Sequence, residues 1–312
     1  MKILVAGGTG FLGKNIVRIL EKKGENVIIC SRQTGIDIRD FNQIDNFLEK
    51  EKPDIIINCA ALVGGIAYNA QCPIRIYEDN LLIGFNLVKA ATNRIKKLVN
   101  VMPNCTYPGV ASIYSENIWW DGPMDETVLT YGMPRKALWV QTWAYAKENK
   151  LKSIHLVLPN LYGPEDHFDP IRSHAIGALI KKIVDAKLNG DKKVIIWGTG
   201  KVIREWMYVE DAAEGIVAAL NKYDSIEILN LGWGKGWTII ETAEYIKRAV
   251  GWEGEFVFDL SKPDGAPKKI LDVSRMHSLL GWRPKVDIEE GIRRTVKWYL
   301  DKISEEKKLN EK

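Results

Sequence analysis

Short apolar runs alternate with helical patterns through the first half of the chain. "KILVAG" (2–7) leads into the helix-like "GKNIVRILEKKG" (13–24) and then into "NVIICS" (26–31). "DIIINCA" (54–60), "KLVNVM" (97–102) and "SIHLVLP" (153–159) follow, with helical segments between them. These runs are too apolar to leave one face in water. The βαβα rhythm therefore predicts an α/β fold, a parallel sheet covered by helices on both sides. After residue 160 the rhythm breaks. Proline and glycine become frequent in "LYGPEDHFDP", "WGTGK", "LGWGKGW" and "SKPDGAPKK", and the strands become short and scattered. That pattern predicts a smaller second lobe. There is no internal repeat and no low-complexity linker.

Composition narrows the partners. Of 312 residues, 46% are hydrophobic and 27% charged, which is ordinary for a globular chain long enough to bury a sizeable core. A net charge of +4 is too mild to imply nucleic acid, though an anionic small substrate would suit it. Acids and bases are interleaved, as in the tail "DKISEEKKLNEK", which reads as a solvated helix end. Cys30, Cys59, Cys72 and Cys105 show neither CxxC pairing nor zinc-ligand spacing, so reduced thiols and no metal are expected. The chain opens on a strand with no charged-then-apolar leader, and no apolar run approaches the roughly 18 residues that span a bilayer. A cytoplasmic protein is expected.

"AGGTGFLG" (6–13) joins the first strand to the first helix and spaces Gly7, Gly10 and Gly13 as GxxGxxG. Glycine allows the tight turn and lets backbone approach a pyrophosphate, and the helix N-terminus then offers free N–H groups to phosphates. A glycine-rich turn without a ligand is the plainer reading, but its place at the head of a βαβ unit favours a dinucleotide. The second strand ends in "CSRQTG", with no acid to hold a ribose 2′-hydroxyl. Ser31 and Arg32 suit a 2′-phosphate instead, so NADP is favoured, with NAD the alternative.

Four longer blocks carry a resemblance. "AALVGGIAYN" (60–69), "PNLYGPEDHFDPIRSHAIGALI" (159–180), "WGTGKVIREWMYVEDAA" (197–213) and "KPDGAPKKILDVSR" (262–275), with "GGTGFLG" and "TYGMPRK", resemble the extended short-chain dehydrogenases and, among them, the GDP-L-fucose synthase family. The resemblance implies a Rossmann-type, doubly wound sheet over 1–160, with a returning segment at about 202–232, holding NADP. A smaller C-terminal α/β lobe, 161–201 and 233–312, would hold a nucleotide sugar, probably the GDP-linked kind. Family members epimerise C3 and C5 of a 4-keto-6-deoxy sugar, reduce C4 with NADPH, and are commonly homodimers packed through helices that here would be 80–94 and 131–150.

It also implies site residues. Cys105 and His174 correspond to the epimerisation acid/base pair, and Tyr131 to the proton donor of the reduction. Besides Gly7, Gly10, Gly13, Ser31 and Arg32, the cofactor would meet Thr9, Phe11, Leu12, Asp37, Ile38, Ala60, Ala61, Leu62, Tyr131, Arg135, Pro159, Asn160 and Leu161. Asn160, His174, Lys182, Trp197, Arg204 and Lys269 would meet the substrate. A buried cysteine, a loop-capping histidine and solvated surface cations are the plain readings of the same residues outside these blocks.

The chain departs from the family where it reduces. The family's Ser/Thr, four residues before the tyrosine of the "YP" pair, is Pro103 here, which has no donor, and Thr106 is expected on the opposite face of the strand. The family's lysine, four after Tyr131, is Arg135. Lys136 cannot replace it, because residues five apart on a helix lie about 140° apart, against about 40° for four. Pro134 is expected in the first turn of this helix, where no N–H bond is lost. Arginine stabilises a tyrosinate but does not relay protons. Three readings stay open: an epimerase-reductase with a weakened reduction, an epimerase alone, or a nucleotide-sugar-binding protein without catalysis.

Overall fold

The computed structural model describes residues 1–169, 172–262 and 264–310. The last two residues of the charged tail, and 170, 171 and 263 within the blocks above, lie outside the described residues. In chain order the strands are β1 (Lys2–Ala6), β2 (Asn26–Cys30), β3 (Ile55–Asn58), β4 (Lys97–Pro103), β5 (Ser153–Leu158), β6 (Asn160–Tyr162), β7 (Lys193–Trp197), β8 (Ile203–Arg204), β9 (Trp206–Tyr208), β10 (Ile228–Asn230), β11 (Trp237–Thr238), β12 (Glu255–Asp259) and β13 (Lys268–Lys269). The helices are α1 (Phe11–Lys22), α2 (Phe41–Glu51), α3 (Ile66–Gln71), α4 (Pro73–Ala91), α5 (Leu129–Asn149), α6 (Ala175–Asn189), α7 (Val209–Lys222), α8 (Ile239–Val250), α9 (Ser274–Leu280) and α10 (Ile288–Asn310).

Six strands form one parallel sheet in the order β10-β5-β4-β3-β1-β2. Ile3–Ala6, Ile56, Ile57, Leu98 and Val99 are fully buried because helices cover both faces. α1 packs on α7, while α4 packs on α2 and α5. From β1 the chain steps outward to β2, then crosses back to β3 on β1's other side. The reversal leaves a crevice at the carboxyl ends of β1 and β3, the place where open α/β sheets bind ligands. This is the expected Rossmann-type α/β fold.

Boundaries shift in detail. α1 begins at Phe11 and ends at Lys22, two residues ahead of the span read from the sequence. α4 ends at Ala91, since Thr92 is extended and Asn93 takes a left-handed φ of 62°. The larger correction concerns α5, which starts at Leu129, so Pro134 falls in its second turn. The reason lies upstream: Asp125 caps a single turn, Glu126–Val128, which runs straight into the helix. Pro134 therefore removes an interior bond, the one its N–H would have given the Thr130 carbonyl.

Beyond the sheet, β7 pairs with β12, β6 with β9, and β8 lies between β11 and β13. α6, α8 and α10 bury Ile176, Ile180, Ile183, Ile246, Ile292 and Val296 in a second apolar cluster, which also takes Trp206 and Tyr208. Leu271, Val273, Met276 and Leu280 pack back into the first.

Candidate active site

The glycine turn occupies the β1/β3 crevice. Gly7 sits at φ +80°, and a Cβ there would lie 2.9 Å from the Ala60 backbone. A Cβ on Gly13 would lie 2.1 Å from the Gly7 carbonyl. No side chain caps α1 at Gly10 and its first turn carries no acid, so Thr9, Gly10, Phe11 and Leu12 form a helix entrance open to an anion. At the end of β2, Ser31 is buried and spends its hydroxyl capping the turn Arg32–Thr34, where it accepts the Thr34 N–H. Arg32 is exposed beside it. Asp37 is gripped by Arg39, whose hydrogen bonds hold the carboxyl below its usual range despite partial burial, with Arg32 adding a smaller pull. Arg39 also binds Asp79 at 2.9 Å, and Asn86 donates to the Ile38 and Arg39 carbonyls, so the 37–39 segment is fixed.

Across the crevice, Asn80 holds Leu62 through both backbone groups, accepting its N–H at 3.1 Å and donating to its carbonyl at 3.0 Å. Arg135 joins this loop to α5: its Nη2 donates to Ala60 O at 3.0 Å and Asn80 Oδ1 at 3.2 Å. Its guanidinium lies 5.8 Å from the Tyr131 ring centre, and burial raises the Tyr131 phenol while Arg135 draws it back. Lys136 turns away. It donates to Trp119 O at 2.6 Å and lies 4.7 Å from the Trp120 ring centre, so Arg135 alone accompanies the tyrosine.

β4 stops at Pro103, and Asn104–Thr106 form a single 3₁₀ turn. Thr106 therefore lies on neither face of the strand, because the chain is no longer extended there. Its hydroxyl is unavailable for another reason: it donates to Pro103 O at 2.8 Å and accepts Trp119 Nε1–H at 2.8 Å. Cys105 lies against α5, where a Cβ on Gly132 would be 3.2 Å from its carbonyl oxygen. Burial pushes its thiol up to about 11, against the pull of Lys269 and Arg135. His174 stands at the N-terminus of α6, its imidazole pushed down by burial and then by His167. Its segment backs onto Gly65, where a Cβ would meet the Ser173 carbonyl at 2.7 Å. The structure thus groups Cys105, Tyr131, Arg135 and Lys269, and sets His174 near His167.

The second lobe contributes two pairs of cations, one about Trp197 and one of Arg204 with Lys269. Lys182 donates to Ile195 O at 3.0 Å and lies 5.2 Å from the ring centre of the exposed Trp197, which Lys262 approaches at 5.6 Å. Arg204 is pinned by the Ala266 carbonyl at 2.6 Å and the Asp264 carbonyl at 3.2 Å. Burial lowers the pKa of both Arg204 and Lys269. Asn160 opens β6 and donates to Glu205 O at 3.3 Å, between buried Pro159 and half-buried Leu161.

A family profile, the NAD dependent epimerase/dehydratase family, matches residues 3–232. The chain belongs to that family. It is 36% identical over 304 residues to GDP-L-fucose synthase 1 of Arabidopsis thaliana, covering 97% of this chain and 94% of that one. Among solved structures it is similar to a GDP-6-OMe-4-keto-L-xylo-heptose reductase from C. jejuni, with TM-score 0.90, 29% identity, and 96% and 98% of the two chains covered. A GDP-L-fucose synthetase from Naegleria fowleri, solved bound to NADP, superposes with TM-score 0.87 at 27% identity over 97% and 93%.

Within this family site, several residues escaped the sequence reading. Asp264 accepts both the Thr199 N–H and its hydroxyl at 2.8 Å, tying the turn after Trp197 to the Arg204 anchor. Asp125 caps the turn before α5 and faces Lys269 and Arg204. Burial opposes its ionisation, but the Thr127 bonds and the two cations outweigh burial. Glu205 is fully buried and accepts three backbone N–H groups, from Trp233, Gly234 and Leu271. Only the "KPDG" and "REW" strings could have flagged two of them, and neither string discloses its partner.

Proposed function

We propose that the protein is an NADP-dependent 3,5-epimerase-4-reductase acting on a GDP-linked 4-keto-6-deoxy-hexose. The observation that carries this is the grouping of Cys105, Tyr131 and Arg135 with the cations Lys269 and Arg204, on a sheet that also carries the open glycine turn. The crevice fits a dinucleotide, because backbone fills the space that side chains on Gly7 and Gly13 would need. Arg32, exposed at the end of β2, would meet a 2′-phosphate. When bound, NADPH supplies the hydride for C4. The chain's own residues do the rest. The second-lobe cations neutralise a diphosphate, and Trp197 offers a ring face to the base. A C4 ketone acidifies the C3 and C5 protons, which Cys105 and His174 exchange from the thiol and neutral imidazole forms. Tyr131 gives its proton to O4, with Arg135 stabilising the tyrosinate. The relatives' names do not favour an epimerase alone or an inactive protein.

Supporting features set the wider arrangement. Residues 1–160 and 202–232 would hold the cofactor, and 161–201 with 233–312 the sugar nucleotide, with 271–280 packed against the cofactor part. We propose a cytoplasmic homodimer joined through α4 and α5. The test is direct: incubation with GDP-4-keto-6-deoxymannose and NADPH in heavy water. Deuterium at C3 or C5 together with NADPH oxidation is expected. Absence of both would overturn the reading.

A further inference from the structure

We infer that Asn104 supplies the hydrogen bond to the substrate's O4 that Pro103 cannot give, and that it serves epimerisation and reduction alike. The inference rests on the function proposed above. Pro103 has no side-chain donor. The Thr106 hydroxyl is committed to Pro103 O and the Trp119 indole, and the Tyr107 hydroxyl donates to Asn230 Oδ1 at 2.7 Å. Asn104 is 6% exposed, and its Nδ2 has no hydrogen-bond partner among the described residues. A buried amide donor left unpaired is rare in folded proteins, and a catalytic role toward a group that arrives later is one recognised reason for it. This one stands next to Cys105, on the turn that lies against Gly132 and so beside Tyr131.

The chemistry gives such a donor a defined use. When a proton leaves C3 or C5, the bonding pair moves into the ring and onto O4, making an enolate. When hydride reaches C4, the carbonyl π pair moves onto O4, which takes the Tyr131 proton and becomes the alcohol while NADPH leaves as NADP⁺. Negative charge gathers on O4 in both steps, and a fixed amide N–H stabilises it in both without giving up its proton. Tyr131, by contrast, is needed as a proton source only in the second.

The two roles separate by measurement. With GDP-4-keto-6-deoxymannose, Asn104→Ala is expected to lower deuterium wash-in and NADPH oxidation together, each by about 10²-fold, the usual loss of one such donor. KM and NADPH binding by fluorescence should change little, and Asn104→Ser should recover part of both rates. Tyr131→Phe should depress oxidation alone. An active wild type with Asn104→Ala unimpaired, or impaired only in oxidation, overturns this inference and leaves the proposed function standing. A wild type inert in both assays overturns both. Should Asn104→Ala fail to fold, judged by lost NADPH binding, Asn104→Ser decides: both rates retained in proportion supports the donor, and loss of oxidation alone sinks it.

Discussion

Arg135 is where residue identity most changes the chemistry. Its Nη2 is anchored on Ala60 and Asn80, so the cation is held still beside Tyr131 but cannot lose a proton to it. Ketone reduction needs a proton delivered as hydride arrives, whereas in the proposed mechanism exchange at C3 and C5 would use Cys105 and His174. Arg135→Lys is therefore expected to raise NADPH oxidation without raising deuterium exchange. A wild type that already reduces rapidly, with no gain in that variant, would show arginine to be an adequate partner. A second residue sets cofactor choice. Arg32 is exposed at the end of β2 and acts on Asp37, which Arg39 holds. NADPH should bind more tightly than NADH, and Arg32→Asp should weaken NADPH by about 10- to 100-fold, the worth of one hydrogen bond to a charged group. Equal wild-type affinities in a fluorescence titration would discard the idea.

At the scale of elements, the short strands of the second lobe hold their places through buried polar groups as well as apolar cover. Glu205, between β8 and β9, joins the 233–234 loop and Leu271, two residues past β13, by its three accepted N–H bonds. Burial raises its carboxyl from 4.5 to about 7, against the lowering effect of those bonds. The folded protein therefore keeps a proton that the unfolded chain releases. That contribution to stability is complete below about pH 4.5 and is lost as pH rises through about 7, roughly 3 kcal/mol across the window for a shift of this size. Glu205→Gln should flatten this part of the pH–stability curve in urea titrations. An unchanged slope would mean that Glu205 is charged throughout. The contrast with the main sheet explains what could be read from sequence. The sheet strands declare themselves because burial on both faces leaves continuous apolar runs, and the glycine turn is legible because its geometry excludes a Cβ. Glu205, Asp264 and the Arg39–Asp79 pair were not legible, because each binds partners that lie 28 to 66 residues away along the chain. The early start of α5 was hidden for a more local reason: Asp125 caps a preceding turn that merges into the helix.

For the whole molecule, the outer face of α4 and α5 is the unusual surface. On α4, Ile74, Tyr77, Leu81 and Phe85 are exposed at 71%, 41%, 37% and 48% and recur every three or four residues, which places them in one stripe. On α5, Met133, Val140 and Trp143 are exposed at 42%, 47% and 44%, and α4 packs directly beside α5. A stripe of that kind on a helix whose other side is already buried in the sheet is costly in water and marks an association site. A two-fold axis between the paired helices would set each stripe against its copy and close the assembly at a dimer. The same helix α5 carries Tyr131 and Arg135, so burying its outer face would also steady the proposed proton donor. Sedimentation should therefore give a wild-type dimer at micromolar concentration, and Phe85→Glu with Trp143→Glu should give a monomer that still binds NADPH. The monomer should reduce substrate more slowly, because its α5 is covered on one side only. A monomeric wild type would refute the interface, and a fully active monomeric variant would show that the dimer contributes nothing to the site.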